Sequence, residues 1–249
     1  MTSQRGTMPR SCHIDFETRS SADLRATGSH KYAACLSTEI WCLAFAFGDE
    51  DVEVWVPGDD EPRRLLDHVR DGGEVVAHNA AFELDVWHYQ LEEKLGWPRL
   101  DIEQTRCTMA MALSLGLPAS LDGASKAVQL PIKKDKEGAY LMRRMAVING
   151  KTWEQDDVDR LIAYCVQDVK VERDLEKRLT ALSKAEQDVW SLDQKINRRG
   201  VPLDIPTIQN GIDLAEAEKD RLNKKMKALT GLNASQVTAL MEWVTEQGY

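Results

Sequence analysis

Apolar and polar residues alternate through 12–17, CHIDFE, which predicts a strand. Residues 40–47, IWCLAFAF, are nearly all apolar, as in a central strand buried on both faces. Gly48-Asp49-Glu50-Asp51 reads as a turn, and VEVWV at 52–56 alternates again, so a hairpin is expected here. A helix at about 61–71 and a short strand, EVVAH at 74–78, come next. The pattern then predicts a helix at 80–94, a strand at about 100–105, a helix at 107–115 and further helical segments. The clearest helical stripe begins near Trp153, where Asp156 or Asp157 is a candidate cap. Val158, Leu161, Ile162, Cys165, Val169 and Leu175 recur along it at helical spacing, and it is expected to run to about Leu182. After a change in composition near 183, a helix over 183–199 ends at Gly200 and VPLD at 201–204 is an extended link. A charged helix follows at about 206–228, then Gly231, then a last helix from Ser235. The fold class is therefore α/β: a mixed sheet flanked by helices, with a helical C-terminal extension from 183 to 249.

Composition narrows the function only slightly. The 249 residues suffice for one large domain with an appendage, and no apolar run approaches the ~20 residues of a membrane span. The N-terminus has no apolar stretch of a secretory signal. The five cysteines are odd in number and form no CxxC pair, which argues against a disulfide scaffold or a cysteine zinc site and for a reduced, cytoplasmic compartment. The net charge of −9 is unlike a protein that only holds nucleic acid, since phosphate contacts favour basic chains. An acidic chain can still process nucleic acid if its carboxylates hold cations at the reacting phosphate.

The candidate chemistry lies in three short segments. Asp15 and Glu17 are two apart on a strand, so both project from one face, with Ile14 and Phe16 on the other side. Two acids facing one way from a core strand repel each other unless a cation lies between them; the plain alternative is a solvated strand face. Tyr164 and Asp168 stand at i and i+4 on the long helix and share a face, although a tyrosine at the core edge and a solvent-facing aspartate would read the same. AHNAAFELD at 77–85 puts His78, Asn79 and Glu83 where a strand passes into a helix; Asn79 is there a candidate cap. Carboxylates that converge suit hard divalent cations, and a pair of such cations suits phosphodiester cleavage.

In order along the chain, HIDFETR, HNAAFE and YCVQD resemble the three motifs of the DEDD (DnaQ-like) 3′–5′ exonucleases, in the subgroup with tyrosine in the third motif. The similarity covers roughly 12–182 and implies a ribonuclease-H-like fold. LPIKKDKEGAYLMRRM and SLDQKINRRGVPLD are similar to bacteriophage-type family A DNA polymerases, where the second leads from exonuclease towards the polymerase thumb. The resemblance implies a proofreading exonuclease domain at 1–182 and a thumb-like extension at 183–249, using two Mg²⁺ or Mn²⁺ ions on a single-stranded DNA 3′ end. It implies that Asp15, Glu17 and Asp168 ligate the metal that activates water, and that Asp15 touches both ions. Tyr164 would position the water and Glu83 would reach the second ion. Glutamate departs from the aspartate usual at that position. Asp85 is the fallback, but it lies roughly 200° around the helix from Glu83.

For the DNA, the candidate contacts are Phe16 and Thr18 beside the acids, Leu24 as a wedge between terminal bases, and Asn79. Phe16 and Leu24 have core or packing roles as alternatives. Lys133, Lys134, Lys136, Arg143 and Arg144 form a basic cluster that would track the backbone or simply be a solvated face. A second pair of polymerase aspartates is not found after 183, so the chain is expected to be a fragment or split subunit without polymerase activity, its polymerase partner lying elsewhere. Two other readings compete with the proofreading one: an RNA-trimming enzyme of the RNase D kind, and a catalytically silent domain that holds DNA.

Overall fold

The computed structural model describes residues 11–131 and 135–249. Five strands form one sheet in the order β3-β2-β1-β4-β5. β1 (Cys12–Arg19) pairs antiparallel with β2 (Glu39–Phe47), and β2 with β3 (Glu53–Trp55), giving the expected hairpin. β4 (Val75–Ala77) and β5 (Thr105–Cys107) add in parallel on the other side. The expected fifth strand is shifted: Ile102–Gln104 is a 3₁₀ turn held by an Asp101 capping box, and only Thr105–Cys107 joins the sheet.

Around the sheet run α1 (Leu24–Ala34), α2 (Arg63–Arg70), and α3 (Ala80–Val86), which continues through a π-helical turn, Trp87–Glu92, into α4 (Glu93–Leu95). They are followed by α5 (Thr108–Ser114), α6 (Leu121–Ala127), α7 (Lys136–Met145) and α8 (Gln155–Glu176). The chain continues into α9 (Lys184–Arg199), α10 (Ile205–Thr230) and α11 (Val237–Glu246). α1 carried no clear apolar period in the sequence, because Gly28 (φ 78°) breaks it into two turns with different faces. The long helix begins at its Glu154 cap and ends at Glu176, and both Asp156 and Asp157 sit in its first turn, where the helix dipole favours acids. The cap of α11 is Gln236, one residue beyond Ser235. None of the described helices is long and apolar enough to cross a membrane.

The two faces of the sheet differ in side-chain size. Ile14, Phe16, Leu43, Phe45 and Phe47 point to one side and join Leu84, Trp87, Leu91 and Trp97 in the large core. On the other side β2 presents only Cys42, Ala44 and Ala46, packed against Cys165 and Val169 of α8. Small residues here let the long helix lie close on the strands. This close approach carries the third sequence motif onto the first.

By contacts the chain divides into a unit ending at Arg199 and a second unit, Gly200–Tyr249. α9 belongs to the first: Gln187 Nε2 donates to the Thr105 carbonyl (3.2 Å), Lys195 pairs with Glu103, and Arg198 Nε lies 3.4 Å from Asp85. The compact body thus runs beyond 183, the point where the resemblance passes from exonuclease to thumb. The second unit is α10 and α11, with Asp204 capping α10 through Thr207.

Candidate active site

Alternation on β1 turns His13, Asp15 and Glu17 towards α8. On α8, Tyr164, Asp168, Glu172 and Glu176 recur every four residues and form one stripe. The two rows meet. Cys165 donates its thiol to Asp15 Oδ2 and to the Asp15 carbonyl, each at 3.3 Å. Tyr164 lies beside Asp168 and feels the charges of Asp168, Glu17 and Asp15. Tyr164, Asp168 and Glu17 are all buried, and Asp15 is partly exposed.

Glu83 comes from α3, the helix that follows β4. It is 4% exposed, and the Phe16 backbone N–H is bonded to its carboxylate. Its Oε2 is buried with no hydrogen-bond partner. Burial first, and the Asp15 charge second, push its pKa well above the usual glutamate range. Glu83 rather than Asp85 therefore faces the first motif, as helical geometry implied. Asp85 accepts from Ser29 Oγ at 2.7 Å and pairs with Arg198, outside this cluster.

Tyr164 is kept a phenol. Burial raises its pKa strongly, and the neighbouring charges of Asp168, Glu17 and Asp15 raise it further, so the ring remains a proton donor at any working pH. Its place is set by a glycine the motifs do not include. A Cβ on Gly138 of α7 would come within 2.5 Å of Tyr164 Cδ2 and 2.9 Å of its Cβ. Gly138→Ala must therefore displace the tyrosine or α7 itself, since the same Cβ would also lie 2.7 Å from Asp135 Oδ2. We expect roughly a tenfold loss of cleavage with near-normal folding, read by steady-state kinetics beside a melting curve.

Among the described residues, no three His, Cys, Asp or Glu side chains are gathered at metal-binding spacing. The donor set nonetheless fits hard divalent cations: the acids offer only oxygen, and Glu83 leaves a buried carboxylate oxygen unsatisfied, which a cation would satisfy.

Several DNA-contact expectations are corrected. Phe16 is 4% exposed and packs edge-on against Trp87, so its ring cannot stack on a base. Thr18 is buried, its hydroxyl 2.9 Å from Tyr32 Oη. Asn79 does not cap α3 with its side chain; it sits in the left-handed region (φ 66°) with the side chain exposed, still available to a ligand. Leu24 is 41% exposed at the start of α1, where Asp23 caps the helix. Arg143 and Arg144 are exposed on α7, the helix of Gly138, and Arg144 lies over the Tyr140 and Trp153 rings. Lys133 and Lys134 lie outside the described residues, and Lys136 opens α7. His78 bridges Thr108 Oγ1 (3.0 Å) and the Ala119 carbonyl (2.9 Å), a structural tether.

His13, which shows no metal spacing in the sequence, lies on the same strand face as Asp15 and Glu17. Burial alone would lower its pKa, but the bond and charge of Glu172, joined by Glu176, carry it above the ordinary imidazole value. Its spacing of two from Asp15 was the available signal.

No protein-family model matches the chain. A DNA polymerase of Bacillus phage SP02 is 34% identical over 255 aligned residues, 94% of this chain. The chain spans 38% of that polymerase's length. Among solved structures, Trypanosoma brucei RNase D in complex with RNA U12 superposes with a TM-score of 0.52 at 12% identity, over 75% of this chain and 63% of that one. The same RNase D in another structure gives 0.51 at 11% identity, over 75% and 65%. Strand order, flanking helices and these likenesses agree: the chain is similar in sequence to a bacteriophage DNA polymerase over part of that protein's length, and its fold, a mixed five-stranded sheet flanked by helices, is like that of RNase D.

Proposed function

We propose that this chain is a metal-dependent 3′–5′ exonuclease that hydrolyses single-stranded or mispaired DNA 3′ ends, the proofreading part of a phage-type DNA polymerase. The observation that carries this reading is the meeting of the β1 acids with Tyr164 and Asp168, beside a buried Glu83 drawn in from a third element. Asp15, Glu17, Asp168 and Glu83 would hold two divalent cations, Mg²⁺ or Mn²⁺. Such a pair, when bound, activates water and offsets charge on the leaving oxygen. Tyr164, a phenol at all working pH values, holds its proton at Oη beside Asp168 and is placed to orient an attacking water. Cys165 helps orient the Asp15 carboxylate by donating its thiol to Oδ2. The exposed Asn79, Leu24, Arg143 and Arg144 are the side chains available to the strand.

DNA is preferred over RNA as substrate because the sequence relative is a DNA polymerase and covers nearly the whole chain. The test is degradation of 5′-labelled DNA and RNA oligonucleotides of one sequence, with Mg²⁺, Mn²⁺ or EDTA. A ladder that shortens the DNA from its 3′ end and disappears in EDTA is expected. Faster trimming of RNA would move the assignment to an RNase D-like enzyme, and no cleavage of either strand would leave a silent, nucleic-acid-holding domain.

A further inference from the structure

The packing that brings α8 close to the sheet does little to fix its height along the strands. Cys42, Ala44 and Ala46 against Cys165 and Val169 form a smooth apolar seam, and apolar contacts are not directional. Yet the site requires that Tyr164 and Asp168 stand level with Glu17 and Asp15.

Directional contacts lie further along the same two rows. His13 is 2% exposed; its Nδ1 is 2.6 Å from Glu172 Oε2, and its Nε2 is 3.4 Å from Glu176 Oε2. Each ring nitrogen thus faces a carboxylate one helical turn from the other, so the ring spans a full turn of α8. Four helical residues rise about 6 Å and two strand residues about 6.7 Å, so the rows keep step over this distance. Glu172 and Glu176 meet His13, and Cys165 meets Asp15. A slide of α8 by one turn would separate His13 from at least one of its carboxylates.

We propose that His13, Glu172 and Glu176 form a positioning clamp that sets the register of α8 on β1, and through it the placement of Asp168 and Tyr164 opposite Asp15 and Glu17. None of the three touches the reacting phosphate. Arg173 adds to the hold at this end, donating to the carbonyls of Gly48 (3.2 Å) and Glu50 (2.6 Å) in the β2–β3 turn. The inference deepens the exonuclease reading and relies on it for the activity readout.

The test compares His13→Leu, Glu172→Leu, the double Leu variant and Glu172→Gln in the full chain. The single Leu variants should lose roughly 10- to 100-fold in kcat on single-stranded DNA, the usual scale for partners that orient metal ligands, with KM little changed. Glu172→Gln keeps an acceptor for His13 and should retain most of kcat. The double variant carries the decisive arm: an apolar pair should restore the melting temperature without restoring kcat. Recovery of both together would reduce the trio to a stabilising ion pair and overturn the clamp, as would unchanged kcat in His13→Leu. Amide exchange over 164–172 gives a second readout that needs no catalysis. Should the wild-type chain cleave neither DNA nor RNA, the exonuclease reading falls. Faster exchange there in the double variant would then still support the clamp, and unchanged exchange would overturn it.

Discussion

Asp15→Ala is expected to reduce cleavage of a 5′-labelled single-stranded oligonucleotide by roughly 10³-fold or more, with no fall in melting temperature. The loss follows from the position proposed for Asp15, where it serves both cations. Removing a shared ligand forfeits several kcal/mol of stabilisation at the developing charge, and each ~1.4 kcal/mol is a factor of ten. The unchanged stability has a different cause. Asp15 raises the pKa of buried Glu83 by repulsion, and the thiol contact that it accepts from Cys165 comes from a weak donor. Truncating it relieves that repulsion in metal-free protein. Cleavage at the wild-type rate would dissolve the metal assignment; a large drop in melting temperature would instead make Asp15 a structural residue.

Glu83→Gln should separate the two roles of a buried acid. A carboxyl whose folded pKa is raised binds more protons in the folded state. The stability it contributes is full below the unfolded glutamate value and is lost as pH rises through the folded one. In EDTA, the wild-type melting temperature should therefore decline as pH rises above the unfolded glutamate range, and Glu83→Gln should flatten that decline. At alkaline pH the variant should be the more stable of the two. Mn²⁺ should reverse the order, since a cation bound beside Glu83 stabilises the ionised form and adds its own binding energy. Cleavage by the variant should fall roughly 100-fold. Identical pH profiles for the two proteins in EDTA would show that Glu83 does not carry the buried proton, and full activity would remove it from the site.

The parts of this fold that were legible in the sequence are those where one period dominates. β1 alternates, β2 is uniformly apolar, and α8 carries a long stripe, so the sheet centre and the helix above it were readable. α1 was not, because Gly28 interrupts its period, and β5 was misplaced because apolar Leu100 and Ile102 fill the core from a loop and a 3₁₀ turn. The candidate site was legible in its acids, since carboxylates on core-facing positions are costly without a purpose. Its supports were hidden. Gly138 matters only because α7 crosses Tyr164, and His13 only because Glu172 lies opposite, 159 residues away in sequence. Phe16 and Thr18 misled for the reverse reason: neighbours of Asp15 and Glu17 in sequence point to the other side of the strand.

The unequal faces of β2 divide the molecule's tolerance to change. Phe45, Phe47 and the tryptophans of the large core hold most of the bulky buried residues, while Cys42, Ala44 and Ala46 merely keep a gap narrow for α8. A methyl added in the narrow gap is expected to lift the helix and the tyrosine with it, whereas a methyl lost in the large core away from Phe16 and Leu84 is expected to weaken the fold and leave the acids in place. Random variation in such a protein sorts by side: damage on one face appears as poor yield, and damage on the other as a well-folded protein that has stopped cutting. Thermostabilising substitutions are accordingly best sought on the aromatic side away from Phe16 and Leu84, where gains should add without altering the chemistry.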